Sequence, residues 1–194
     1  CADETSTDLT ANNNTVLDGD AGTVSWYDGD PGSGGSLIGS PATANLNAIS
    51  DLWARVTATT GSCIADMDVT VTINPLPTPA DAPFTICADE TSTDLTANNN
   101  TVLDGDAGTV SWYDGDPGSG GSLIGSPATA NLNAISDLWA RVTATTGSCI
   151  ADVDVTVTIN PLPTPADAPF TICADETSTD LTADNNTVLD GDAG

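Results

Sequence analysis

The chain has 194 residues, 28 of them Asp or Glu against two Arg, with no Lys, His or Gln, and a formal charge of −26. That charge repels phosphate backbones and anionic lipid, so nucleic-acid binding and peripheral membrane binding lack their attractive term. Without imidazole, histidine-based triads, proton shuttles and His-containing zinc sites are excluded, and the composition argues against an enzyme. No stretch approaches the ~20 consecutive apolar residues of a membrane span, and no initiating Met or basic-then-apolar leader opens the chain, so it reads as a soluble segment of a longer protein.

The motif Cys1-Ala-Asp-Glu-Thr-Ser-Thr-Asp-Leu returns at Cys87 and at Cys173, a period of 86 residues. Overlaying residues 1–108 on 87–194 leaves two differences, Met67 against Val153 and Asn98 against Asp184. A unit of this size suits one small β-sandwich and exceeds the roughly 20 to 50 residues of a solenoid repeat. Pro stands at nearly every second position of 74–83 and 160–169, which blocks ladder hydrogen bonds and favours an extended linker. The expected domains are therefore 1–78, a repeat lacking its first strand; 79–164, a complete repeat; and 165–194, the start of a third.

In chain order, the complete unit predicts strands over 83–86, repeated at 169–172, and over 93–97. Another covers 109–113, with Val110 and Trp112 on one face. The Asp-Gly-Pro-Ser cluster at 114–121 reads as a turn, followed by strands at 122–124 and at 137–144, the latter with Leu138, Ala140 and Val142 inward. The alternation of Val with Asp and Thr across 153–159 reads as the last strand. No segment carries a capped 3.6-residue period. The pattern predicts an all-β fold of tandem antiparallel sandwiches, about seven strands per repeat.

Two Cys per unit read as a disulfide framework. Cys1, Cys63, Cys87 and Cys149 are the candidates. The preferred pairing joins Cys87 to Cys149 inside one unit, because Cys149 shares the inward parity of Val153 and Val155 and Trp112 could pack on the bridge. The alternative joins Cys63 to Cys87 across the linker. Reduced, buried thiols are the remaining reading.

The succession Ile86-Cys87, Leu95-Thr96-Ala97, Ser111-Trp112-Tyr113, Gly120-Gly121, Pro127-Ala128-Thr129, Val142, Gly147-Ser148-Cys149 and Val155-Thr156-Val157-Thr158-Ile159-Asn160-Pro161 resembles the Ig-like repeats of giant Bacteroidota surface proteins. Such arrays often accompany gliding-motility-associated regions exported by type IX secretion. The resemblance implies an extracellular, disulfide-bonded structural or adhesive module at the cell surface, and no catalytic residues.

Two further constellations stand out. Asp18, Asp20, Asp28 and Asp30, with their copies Asp104, Asp106, Asp114 and Asp116, flank the Trp strand as Asp-Gly-Asp pairs, and such oxygen ligands suit calcium. They lack the spacing of an EF-hand loop, and Asp and Gly are also ordinary turn formers. Tyr113, Trp139 and Arg141 share outward parity and could form a stacking platform for a glycan, although Arg141 could equally pair with a neighbouring Asp. The function expected is a structural repeat of an extracellular stalk or filament whose partners are neighbouring identical repeats, other filaments or surface glycans. The alternative is a multivalent adhesin whose repeats each bind weakly. No cofactor is required, and calcium is a possible one.

Overall fold

The computed structural model describes residues 1–175, 178–184 and 188. In the first copy of the repeat, a 3₁₀ turn at Leu9–Asn12 leads into helix α1 (Asn13–Leu17). Strands β1 (Gly22–Asp28), β2 (Ser36–Leu37), β3 (Leu52–Ala58) and β4 (Ile64–Val69) follow. They form an antiparallel sheet in the order β2-β1-β3-β4, with Trp26 opposite Ala54 and Tyr27 opposite Trp53. Alternation along β1 places Trp26 in the core with Leu9, Ala44, Leu52 and Ala54. The Trp26 indole N–H donates to Asn13 Oδ1 at 2.9 Å, so burying the ring leaves no orphaned donor. A Cβ at Gly22 would lie 2.7 Å from the Thr57 carbonyl oxygen, so β1 can open there only on glycine.

The second copy contributes β5 (Phe84–Cys87), α2 (Asn99–Leu103), β6 (Gly108–Asp114), β7 (Ser122–Leu123), β8 (Leu138–Ala144), β9 (Ile150–Val155) and β10 (Val157–Asn160). Its four-stranded sheet runs β7-β6-β8-β9, and β5 pairs in parallel with β10 in a second sheet. Phe84, Ile86, Leu95, Trp112, Leu132, Leu138, Ala140 and Val155 are buried. The Phe84 and Trp112 rings pack edge to face, and the Trp112 indole N–H repeats the earlier bond, to Asn99 Oδ1 at 2.9 Å.

The chain divides into two compact units. The first is Cys1–Pro79 together with Gly105–Thr109 and Val142–Ala151, and the second takes the remaining described residues.

The strands predicted at 83–86, 109–113, 122–124 and 137–144 are present as β5, β6, β7 and β8. Four expectations are corrected. Residues 169–172 form no strand. Residues 93–97 are not a strand: Thr93 makes one isolated bridge to Ala130, and Leu95–Asn98 is a 3₁₀ turn leading into α2. The Asp94 carboxylate accepts the Thr96 N–H at 2.9 Å and so starts a helical turn. The predicted strand at 153–159 breaks at Thr156. Its N–H and hydroxyl donate to the Asp81 carboxylate at 3.1 and 2.9 Å, and beyond it β10 takes β5 as partner. The complete copy consequently holds six strands among the described residues, not seven, and one of its pairings is parallel. Within the third copy, residues 176–177, 185–187 and 189–194 lie outside the described residues; Leu181–Asp184 forms a 3₁₀ turn.

Candidate functional site

Cys149 is 1% exposed, consistent with its inward parity, and it is bonded to Cys1 with a Cα–Cα distance of 5.5 Å. Both residues belong to the first compact unit. Neither the Cys87–Cys149 nor the Cys63–Cys87 pairing is made; Cys63 and Cys87 are free and exposed. The reason is the register of the second sheet. Cys87 lies opposite Asn160 at the far end of β10, whereas Cys149 immediately precedes β9. The ring expected to cover the bridge, Trp112, packs instead on Phe84.

The linker closes around this bond. The Asn74 carbonyl accepts the Ala2 N–H at 3.0 Å and lies 3.8 Å from Cys149 Sγ. Any Cβ at Gly147 would run into the Asn74 side chain. Four residues on, the Thr78 N–H and hydroxyl donate to Asp106 Oδ2 at 2.6 and 3.3 Å. Asn74 to Pro77, with Asp106 and Ala144, line a groove of about 350 Å³. Sequence reading passed over Asn74, although its place before Pro75 was a signal: a residue preceding proline is held extended, leaving its carbonyl available to a neighbouring strand.

The eight aspartates considered for calcium take different places in the fold. Asp30 accepts from the Gly32 N–H and the Ser33 hydroxyl, both at 2.7 Å, and Asp116 accepts identically from Gly118 and Ser119. The Ser119 hydroxyl, more than the Gly118 N–H, holds the Asp116 carboxyl below its usual range. Asp28 accepts the Ser36 N–H at 2.9 Å. Asp18 and Asp104 adopt positive φ, at 47° and 45°, and end α1 and α2. The Asp20 N–H donates to the Leu17 carbonyl at 2.7 Å, and Asp106 anchors the linker. The Asp114 side chain is exposed at the end of β6. Among the described residues, no three of His, Cys, Asp or Glu gather in a group that could hold a metal ion.

The glycan-platform residues are brought together in part. Arg141 Nε and Nη2 donate to Asp152 Oδ1 and Oδ2 at 2.7 and 2.8 Å, and the guanidinium lies 5.5 Å from the Tyr113 ring centroid. The first copy repeats this with Arg55, Asp66 and Tyr27. Asp66 is held below its ordinary range, chiefly by the Arg55 hydrogen bonds. Trp139 turns its indole N–H to Asp137 Oδ2 at 2.9 Å. The carboxylate engages Nε and one Nη2 N–H of the guanidinium.

No helix among the described residues is long and apolar enough to cross a membrane. No family model matches the chain, and no curated protein matches it either.

Proposed function

We propose that this chain is a stretch of a tandem Ig-like β-sandwich array serving as an extracellular stalk or filament on a bacterial surface, with length and display as its task. The observation that carries the reading is near-identity at a period of 86 residues combined with a disulfide from Cys1 of one copy to Cys149 of the next. Repetition adds reach without adding new chemistry, and a disulfide persists in an oxidising compartment outside the cell. Support also comes from the absence of His, the side chain most often used as a general base, and from the strongly negative charge, which keeps long polymers apart in solution.

X-ray scattering on chains of increasing copy number tests this. Strands of this length and a semi-rigid linker should lengthen the particle by a constant increment, on the order of 35 to 50 Å per copy. A maximum dimension that stays level as copies are added would sink the stalk reading.

A further inference from the structure

The Cys1–Cys149 bond joins positions 148 apart in sequence across a Cα–Cα distance of 5.5 Å. All of the chain between the two cysteines is thereby closed into a covalent loop. Tension that enters at Cys1 and leaves beyond Cys149 passes through the two sulfurs and bypasses that loop. The loop holds the whole β2-β1-β3-β4 sheet, and with it β5, β6, β7 and β8. Past the bond the chain runs into β9 (Ile150–Val155) and β10 (Val157–Asn160), which are already drawn out and have little further length to give.

The two sulfurs differ in access. Cys149 is buried, its carbonyl accepts the Ala144 N–H at 2.8 Å, and its Sγ lies 3.8 Å from the Asn74 carbonyl oxygen of the linker. Cys1 is only half-buried, with its Sγ 3.8 Å from the Gly147 carbonyl oxygen. A thiolate arriving from solution therefore meets the pair at the Cys1 sulfur.

We propose that the Cys1–Cys149 bond is a redox-controlled length lock. Oxidised, it keeps the folded chain between the two cysteines out of the path of tension; reduced, it puts that chain in series with the load. At roughly 3.3 to 3.6 Å per fully extended residue, the loop holds on the order of 500 Å of reserve length, against about 150 Å for the stretch from Cys149 to Gly194. Opening the bond thus raises the greatest extension about fourfold. The inference rests on the stalk reading for the source of the tension and not for the lock itself.

A small dithiol supplies the electrons. One of its thiolates attacks Cys1 Sγ, the protein S–S bond breaks, and Cys149 leaves as a thiolate that takes up a proton. The second thiolate of the reductant then attacks its own partner sulfur in the mixed disulfide and expels the Cys1 thiolate, which is protonated in turn. One protein disulfide becomes two thiols, and one dithiol becomes a cyclic disulfide.

The test stretches the whole chain between handles at its two ends, with and without dithiothreitol. Cys63→Ser, Cys87→Ser and Cys173→Ser form the background, so that no other thiol can re-pair, and peptide mapping of the same sample verifies the Cys1–Cys149 linkage. Without reductant the contour length should stop near 150 Å, and with reductant it should grow by on the order of 500 Å. Adding Cys149→Ser should give the long extension in both buffers. The background chain decides the matter even where that variant does not fold, since both sulfurs of the bond are intact in it. Equal contour lengths in the two buffers, or the long extension before any reductant is added, would overturn the lock. Neither result bears on the stalk, because the growth of particle length with copy number is read by scattering without applied force.

Discussion

Phe84 meets Trp112 at an interplanar angle of 72°, with the ring centroids 5.8 Å apart. One ring comes from the strand that opens the repeat and the other from the centre of the larger sheet, so this contact ties the two sheets together.

Trp112→Ala should lower unfolding stability by about 3 to 5 kcal/mol, and Phe84→Ala by a similar amount, through lost burial and an unfilled cavity. Asn99→Ala should cost about 1 to 3 kcal/mol by leaving the indole N–H unpaired. Denaturant titration of the single variants checks all three, and an Asn99→Ala curve overlying the parent would show that the indole needs no partner.

The disulfide between Cys1 and Cys149 spans a sequence separation of 148 residues, so it constrains the unfolded chain strongly. Reduction, or Cys149→Ser, should cost about 2 to 5 kcal/mol. Unfolding followed with and without reductant measures the difference, and the Cys149→Ser chain should no longer respond to reductant.

Acid should destabilise the fold with a definite sign. Asp66 and Asp116 titrate below their ordinary values, Asp66 chiefly through Arg55 and Asp116 chiefly through Ser119. Depressed folded-state values mean that their contribution is full above the unfolded carboxylate range near ~4 and disappears as pH falls through the lower folded values. Asp66→Asn and Asp116→Asn should each flatten the acid limb of a stability–pH curve. An unchanged limb would remove these two carboxylates from the account.

The Arg141–Asp152 pair has side chains only 22% exposed each, and its two-pronged geometry is well defined. A double-mutant cycle with Arg141→Met and Asp152→Asn should return a coupling of about 1 kcal/mol, weakening in high salt. Zero coupling would make the pair a surface coincidence.

Chelation should leave the melting temperature unchanged, since Asp28, Asp30, Asp106 and Asp116 already accept hydrogen bonds from their own turns or from the linker. Asp116→Ala should lower it in any buffer. A fall on adding chelator that calcium reverses would return the Asp-Gly-Asp pairs to metal binding.

Alternation made the strands legible wherever one face is buried and the other wet. Trp112 and Val155 betray their faces by parity alone. The short helices were missed because they are too brief for a 3.6-residue period to declare itself. Their signal was local: Asp94 ahead of Leu95 as a cap, and Asp104-Gly105 as a stop. The change of sheet at Thr156 depends on Asp81, some 75 positions away, and periodicity carries no information over that distance. Cysteine pairing failed for a related reason. Parity tells which way Cys149 points, but not which end of the strand pair Cys87 occupies; only the parallel register does.

That register has a consequence for a chain under tension. β5 enters the repeat and β10 leaves it, and they run side by side in the same direction from Val157 opposite Phe84 to Asn160 opposite Cys87. With the Cys1–Cys149 bond reduced, pulling on the two ends of the repeat draws these strands past each other along their own axes, so their hydrogen bonds are loaded in shear, together, and not peeled one after another. Force–extension traces should therefore show one high rupture peak per repeat, lowered when a proline at Ala88 removes the donor to the Asn160 carbonyl. A repeat built this way resists being stretched along the direction in which a tether would be pulled.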